Sequence, residues 1–159
     1  MIFYKSLRVG KNGKLFYLWK FRTMVENADR IGGPSTAGDD PRITKIGRFL
    51  RRYKLDELPQ IWNVIKGDMV FIGWRPEVPQ YLNTIPPEVL ATKPGITGLA
   101  TIWDYDEGKK LSGQQDPDRY YEEYILPKKR ELELYYVRNK SLKMDLSILW
   151  LTFKKLLGR

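Results

Sequence analysis

With 159 residues, 42% of them hydrophobic and 30% charged, the chain has the size and composition of one folded domain rather than of a disordered chain or a polytopic membrane protein. It contains neither cysteine nor histidine, which excludes thiol nucleophiles, imidazole bases and Cys/His zinc sites. Its net charge of +9 predicts a polyanionic partner, such as nucleic acid, anionic lipid or a phosphorylated small molecule.

The N-terminal segment predicts a β-hairpin. Two runs of strand-forming residues, at 1–4 and 15–21, flank a glycine-containing turn at 10–13. Residues 26–40 then become poor in apolar side chains and rich in glycine and aspartate. Such a composition predicts a mobile loop.

A basic amphipathic helix is predicted next, with Asp40 as its N-cap and Pro41 as its first residue. Its apolar face has spacings of three and four residues and consists of Ile43, Ile46, Leu50 and Tyr53. The remaining surface carries Lys45, Arg48, Arg51 and Arg52. A short helical segment ending near residue 65 and a strand at 69–72 follow.

The second half of the chain is predicted to be mainly helical. A proline-glycine turn at 93–98 leads into a predicted strand over 99–103, and residues 104–119 predict a polar loop. The last predicted element is an amphipathic helix from Ser141 to Leu157. We therefore predict an α+β fold in a single domain over residues 1–159, with an N-terminal hairpin or small sheet, short helices around an acidic pair, and C-terminal amphipathic helices.

The acidic pair consists of the adjacent residues Asp56 and Glu57, which lie between the basic helix and a turn that carries Arg75. Such a pair suits phosphoryl transfer, because one carboxylate can attack phosphorus while the other holds a divalent cation and arginines bind the remaining oxygens. Nearby cations are expected to keep the nucleophile ionised. Spacing alone favours a plainer interpretation, in which the two acids only begin a helix.

Six sequence stretches in a fixed order favour the phosphoryl-transfer interpretation of the acidic pair over the plainer one. Together they extend over nearly the whole chain. They are KFRTM at 20–24, DPRITKIGRFLR at 40–51, LDELPQ at 55–60 with WNV at 62–64 and KGDM at 66–69, GWRP at 73–76, KPGITGLA at 93–100, and SLKMD at 141–145. In this order they resemble the bacterial sugar transferase family, the monotopic polyprenyl-phosphate phosphoglycosyl transferases. The ordered set is far more specific than any one motif.

The resemblance implies that a sugar 1-phosphate moves from a UDP-sugar to polyprenyl (undecaprenyl) phosphate, the initiating step of exopolysaccharide, lipopolysaccharide or glycoconjugate synthesis. It implies an aspartyl-phosphosugar intermediate on Asp56 and Mg²⁺ bound by Glu57. Arg51 and Arg75 match family positions associated with phosphate, and Asp145 matches an acidic position near the site. The resemblance and the basic patch together extend the expected substrate-binding or phosphate-binding set to Lys20, Arg22 and Arg48.

The chain departs from the family pattern at two positions near the expected site. Trp74 stands where many members have proline. Tyr105 falls where many members have a third phosphate-binding arginine, and the candidates to compensate for that arginine are Lys109, Lys110 and Arg138. The acidic run at 104–107 is either a donor-specificity element or a solvated loop.

The expected location is the cytosolic face of the bacterial inner membrane. Family members carry an N-terminal apolar helix that enters one leaflet, and this sequence starts after it, so we expect a truncated form rather than an unusually short member. Membrane contact is still predicted from the C-terminal helix, where apolar residues accompany Lys143, Lys154, Lys155 and Arg159. The alternative is a helix that packs its apolar face on the core.

Other functions remain open from the sequence. The charge of +9 and the basic helix also suit a nucleic-acid-binding module, but the chain lacks a recognised motif and the acidic pair would repel a phosphate backbone, so no nucleic acid is expected. A glycosyltransferase would use the same donor and release UDP rather than UMP. A third alternative is a folded but inactive interaction fragment.

Overall fold

A computed structural model describes residues 1–158 and has the α+β architecture that the sequence predicts. Arg159, grouped above with the basic C-terminal residues, lies outside the described residues. The strands are β1 (Phe3–Val9), β2 (Leu15–Phe21), β3 (Val70–Ile72) and β4 (Gly95–Thr97).

The helices are short in the first two thirds of the chain and long at its end. They are α1 (Ala28–Ile31), α2 (Lys45–Arg52), α3 (Ile61–Ile65), α4 (Pro87–Leu90), α5 (Leu99–Trp103), α6 (Glu107–Leu111), α7 (Pro117–Tyr120), α8 (Leu126–Asn139) and α9 (Leu142–Leu157). Single 3-10 segments cover Lys11–Gly13, Leu55–Gln60 and Pro79–Thr84, and a π-helical turn covers Tyr121–Ile125.

The predicted hairpin is confirmed. β1 and β2 pair antiparallel, from Phe3 opposite Phe21 to Val9 opposite Leu15. The turn reverses the chain because Asn12 and Gly13 adopt positive φ values of 56° and 77°. Alternate residues of β1 are half-buried, so one face of the hairpin packs against the rest of the domain.

The basic helix α2 begins four residues later than the sequence indicated. Thr44 is the N-cap, and its hydroxyl accepts a 2.9 Å hydrogen bond from the Gly47 backbone N–H. Asp40, predicted as the cap, instead accepts hydrogen bonds from the guanidinium and backbone N–H of Arg42. The buried positions of the segment include Ile43 and Gly47, whereas Ile46 and Phe49 are exposed.

A second correction concerns the region after the proline-glycine turn. The strand lies at β4, which pairs parallel with β3, and the predicted strand over 99–103 is the helix α5. Tertiary packing explains the change, because Leu99 and Ile102 are three residues apart on one helical face and pack with Tyr136 and Ile148. The polar loop predicted at 104–119 is likewise partly helical, since it contains α6 and the start of α7.

The C-terminal helices α8 and α9 support the core. Ser141 caps α9 by accepting a hydrogen bond from the Met144 backbone N–H, so the predicted amphipathic helix is confirmed. Ile148 is buried on its inner face. No helix within residues 1–158 combines the length and the apolarity that a bilayer-crossing segment needs.

The glycine-rich segment at 26–40 packs against its neighbours. Arg42 Nη1 donates to the carbonyl oxygens of Ala28 at 3.0 Å and Gly33 at 3.3 Å, and the Ser35 backbone N–H donates to Asp118 Oδ1 at 2.9 Å. These contacts hold the segment beside the basic helix. The mobility predicted for it stays a prediction.

Candidate active site

The acidic pair lies in the 3-10 segment Leu55–Gln60, which follows directly from α2. Asn63, fully buried three residues after this segment, fixes it to β2. Its Nδ2 donates to the Tyr17 carbonyl at 2.8 Å, and its Oδ1 accepts from the Trp19 backbone N–H at 3.1 Å. The segment therefore has a fixed position relative to the hairpin, whose Lys20 faces the pair.

Glu57 is clamped by two cations. Its Oε1 accepts a 2.7 Å hydrogen bond from Arg75 Nη2 and a 3.2 Å hydrogen bond from Lys20 Nζ. Burial by itself would raise the pKa of Glu57, but Arg75 and Lys20 outweigh it and hold that pKa well below its usual range. Glu57 therefore carries a negative charge that orients both cations.

Asp56 is more deeply buried and has a different environment. The residue is 7% exposed, and within residues 1–158 its Oδ1 makes no hydrogen bond. Burial raises its pKa and Glu57 adds to that rise, while Lys20, Arg51 and Lys54 act in the opposite direction. The ionisation of Asp56 by nearby cations stays a prediction, because burial acts against them. A buried carboxylate oxygen without a protein partner is available to a ligand, an ion or water.

One cavity of about 1040 Å³ brings most of the predicted site residues together. Asp56 and Glu57 line it together with Lys20, Arg22, Arg48, Arg51 and Arg75. Arg51 is held by a 2.8 Å hydrogen bond from its Nε to Thr23 Oγ1, and burial lowers its pKa despite the nearby carboxylates. Volumes in the range of about 300–1,000 Å³ are typical of small-molecule pockets, so the space suffices for a nucleotide-sized ligand.

Asp145 is the predicted site residue that does not line this cavity. It lies in the first turn of α9, where its carboxylate accepts a 2.6 Å hydrogen bond from the hydroxyl of Tyr136 on α8. The contact joins two helices of the core. Trp74, the residue in place of the family's proline, is also a core residue, because it is 2% exposed and packs with Val9.

The side chains predicted to compensate for the missing arginine have other contacts. Arg138 binds the exposed Glu88, with 2.6 Å from Nη2 to Oε1. Lys110 donates to Asp104 at 2.8 Å and lies over the Trp103 ring. Lys109 lies 3.7 Å from Asp106, and its side chain is 80% exposed.

Arg8 and Lys54 are two cavity cations that the sequence analysis did not include among the candidate site residues. Arg8 lies on β1, and burial lowers its pKa although Glu77 acts in the opposite direction. The alternation that puts Tyr4, Ser6 and Arg8 on the inner face of the hairpin is the signal that would have identified it. The second residue is Lys54, which lines the cavity immediately before the acidic segment.

The acidic side chains of the cavity could bind a divalent cation such as Mg²⁺ only together with oxygen atoms of the substrate. Among the described residues, no group of three or more acidic side chains is arranged to hold a metal ion. Mg²⁺, however, is commonly bound by one or two carboxylates together with substrate phosphates and water. Glu57, whose two cationic contacts both use Oε1, and the partnerless Oδ1 of Asp56 fit that mode.

Comparison with known proteins identifies a family that matches the whole chain. The profile of the family described as "Bacterial sugar transferase" matches residues 1–159. The chain is 38% identical to a Salmonella typhimurium protein named undecaprenyl-phosphate galactose phosphotransferase, with 98% of this chain and 33% of that protein covered. It is 39% identical to the uncharacterized sugar transferase EpsL of Bacillus subtilis, with 98% and 70% covered.

A third relative adds a different sugar. The Klebsiella pneumoniae protein named UDP-glucose:undecaprenyl-phosphate glucose-1-phosphate transferase is 38% identical, with 97% of this chain and 32% of that protein covered. The chain thus spans about a third of the length of the Salmonella and Klebsiella relatives. Because the family profile extends over the whole chain, this chain belongs to the bacterial sugar transferase family.

Proposed function

We propose that the chain transfers a sugar 1-phosphate from a UDP-sugar to polyprenyl (undecaprenyl) phosphate and releases UMP. The observation that carries the proposal is the acidic pair, with Asp56 buried, that lines one cavity together with Arg51, Arg75 and Lys20. The Salmonella and Klebsiella relatives, which are named as sugar-phosphate transferases that use undecaprenyl phosphate, support the same reaction.

Asp56 is the proposed nucleophile. One of its carboxylate oxygens attacks the β-phosphorus of the donor, and the bond from that phosphorus to the oxygen bridging the α-phosphorus breaks. UMP leaves with the bonding electron pair, and Asp56 becomes esterified to the sugar phosphate. A phosphate oxygen of the polyprenyl acceptor then attacks the same phosphorus and regenerates the carboxylate. A covalent intermediate lets one site serve a water-soluble donor and a lipid-borne acceptor in turn.

The surrounding cations stabilise the charge of the transferring phosphoryl group. Arg75 and Lys20 already contact Glu57, and a diphosphate in the cavity lies within reach of the same guanidinium and ammonium groups. We propose that Glu57, with donor phosphate oxygens, would hold Mg²⁺. When bound, this ion offsets phosphate charge as a Lewis acid.

A membrane-facing surface beside the cavity is part of the proposal. The helix α9 has several exposed apolar side chains, including Trp150 and Phe153, and further ones lie on α2 (Ile46 and Phe49) and α3 (Ile61 and Trp62). Lys154 lies over the Trp150 ring on α9. Apolar and aromatic residues next to lysines are typical of helices that lie in the headgroup region, which supports contact with a membrane surface. We propose that this surface is the cytosolic face of the inner membrane.

The test is product identity in the absence of acceptor. With Mg²⁺ and a panel of UDP-glucose, UDP-galactose and their N-acetylated counterparts, we expect a burst of UMP that does not exceed one equivalent of enzyme. Release of UDP would instead indicate glycosyl transfer. Asp56→Asn should abolish the burst, whereas Asp39→Asn, which removes an exposed carboxylate outside the cavity, should retain it.

A further inference from the structure

A buried aromatic ring beside the acidic pair lies next to two lysines. Tyr105 is 7% exposed, and its ring centroid is 5.0 Å from Lys54 Nζ and 5.3 Å from Lys155 Nζ. The face of a tyrosine ring attracts a cation at this distance. Of these two lysines, Lys54 lines the cavity that contains Asp56.

The backbone of Lys54 has an unusual conformation. Its φ of 55° and ψ of 20° place a lysine in the left-handed region, which costs about 1–2 kcal/mol for a residue with a Cβ. Its N–H donates to the Arg51 carbonyl at 3.2 Å, and its carbonyl accepts from the Glu57 N–H at 3.3 Å. This turn aims the chain from α2 into the acidic segment. A strained residue at such a point is a candidate for a functional role.

The charge of Lys54 reaches the reacting groups. It acts attractively on the carboxylates of both Asp56 and Glu57. Of the three side chains that sequence analysis considered for the same task, Lys110 and Arg138 contact other carboxylates. Lys109 also lines the cavity, but its side chain is 80% exposed. Lys54 therefore combines a place in the cavity, a neighbouring ring and proximity to both acids.

We propose that Lys54, positioned by the ring of Tyr105, binds the phosphoryl group on which Asp56 acts. The inference rests on the proposed function and adds Lys54 to the cavity cations, such as Arg51 and Arg75, that are proposed to bind phosphate. A lysine ammonium is a compact point charge and suits a phosphoryl oxygen without the two-pronged geometry of arginine. Because this phosphoryl group takes part in both half-reactions, Lys54 serves both, and Tyr105 acts through it.

The test measures each half-reaction in the 159-residue chain with the donor that gives a UMP burst. Lys54→Met should slow the burst about 10- to 100-fold, the range for one charge-assisted hydrogen bond. It should slow discharge to undecaprenyl phosphate in detergent micelles to a similar extent. Lys54→Asn removes the charge but suits the left-handed backbone, so it should give the same loss even if Lys54→Met folds poorly.

Conservative variants separate a positioning role from a packing role. Lys54→Arg should restore most of the rate, because the charge is retained. Tyr105→Phe keeps the ring face and should stay within about 3-fold of the parent chain, whereas Tyr105→Leu should lose about 3- to 10-fold in rate with little change in KM for the donor. Lys14→Met removes an exposed lysine of the hairpin turn and is the matched control.

Three results would overturn the inference. They are a full-rate burst in both Lys54→Met and Lys54→Asn, a loss confined to the acceptor half-reaction, and a loss in Lys54→Arg as large as in Lys54→Met. If the parent chain itself releases no UMP from any donor, the proposed function fails instead. The two failures are therefore distinguishable.

Discussion

Lys129 on α8 is a buried cation that lines the cavity and contacts other residues of its wall. Its side chain is 2% exposed. Its Nζ lies 2.5 Å from Glu107 Oε2, 3.2 Å from Asp104 Oδ2 and 3.2 Å from the hydroxyl of Tyr121. Lys129→Met keeps the length of the side chain but removes this partner from the buried Asp104 and the partly exposed Glu107. Asp104 retains its contact with Lys110.

The contacts of Lys129 determine how much stability Lys129→Met should lose. Removing one partner of a buried ion pair destabilises a protein by about 3–5 kcal/mol, because an uncompensated charge remains buried. A typical domain has a free energy of unfolding of about 5–15 kcal/mol, so Lys129→Met should lower the melting temperature by about 10 °C. Lys128→Met on the same helix loses only an exposed pair with Glu131 and should cost less than about 1 kcal/mol.

The loss should depend on pH. Burial would raise the pKa of Glu107, but Lys129 outweighs burial and lowers that pKa. In the parent chain this pairing therefore stabilises the fold fully above the unfolded pKa of about 4.3, and the stabilisation is lost progressively as pH falls below that value. In Lys129→Met the pKa of Glu107 should rise, and the penalty should be relieved as pH falls. The difference between parent and variant should thus be largest near pH 7 and smallest near pH 4.

Urea unfolding followed by tryptophan fluorescence at both pH values measures this difference. Replacing both partners, Lys129→Met with Glu107→Gln, should recover part of the stability, because the buried charge is removed with its partner. The reasoning is refuted if Lys129→Met costs no more than Lys128→Met. It is also refuted if the cost is the same at pH 4 and pH 7.

Three further outcomes are expected. Burial raises the pKa of Glu133 to about 7, so this side chain loses its proton at lower pH in the unfolded chain than in the folded one, and stability falls as pH rises from about 4.5 to 7. Glu133→Gln removes this loss, so its free energy of unfolding relative to the parent should be up to about 3 kcal/mol higher at pH 8 than at pH 5 in urea titrations. The same difference at both pH values would contradict this reasoning. Gly47→Ala places a Cβ 1.9 Å from the carbonyl oxygen of Thr23, so it should cost about 2 kcal/mol in the same assay, and a cost near zero would show that the backbone yields. Arg75→Lys keeps the charge but loses the planar guanidinium at Glu57, so the UMP burst should slow about 10-fold. Arg119→Lys, at an exposed ion pair, is the control. Equal rates in the two variants would argue against a role of Arg75.

The elements that sequence predicted well are those with strong local signals. The hairpin follows from its turn glycines and strand-forming runs, and α9 follows from its serine cap and apolar spacing. The predicted helix start at Asp40 was wrong. The Asp40 carboxylate, which was expected to cap the helix, instead binds the guanidinium of Arg42. The strand predicted at 99–103 was wrong because a five-residue apolar run suits either state, and contacts with Tyr136 decide it.

The site shows the same division between local and long-range information. Adjacency identified Asp56 and Glu57, and the motif pattern identified Arg51 and Arg75, all of which line one cavity. The clamp on Glu57 was harder to predict, because Lys20 is 37 residues away in the chain. The contact of Lys54 with the Tyr105 ring was missed for the same reason, because the two residues are far apart in the chain.

Intact-protein mass spectrometry after mixing with a UDP-sugar and Mg²⁺, without acceptor, tests the central claim most directly. We expect a mass gain equal to one sugar phosphate in the parent chain, removed by adding undecaprenyl phosphate, and no gain in Asp56→Asn that retains the parent fold. An adduct of the same mass on Asp56→Asn, or UMP formation with no adduct on the parent chain at any time, would contradict the assignment of Asp56 as the nucleophile.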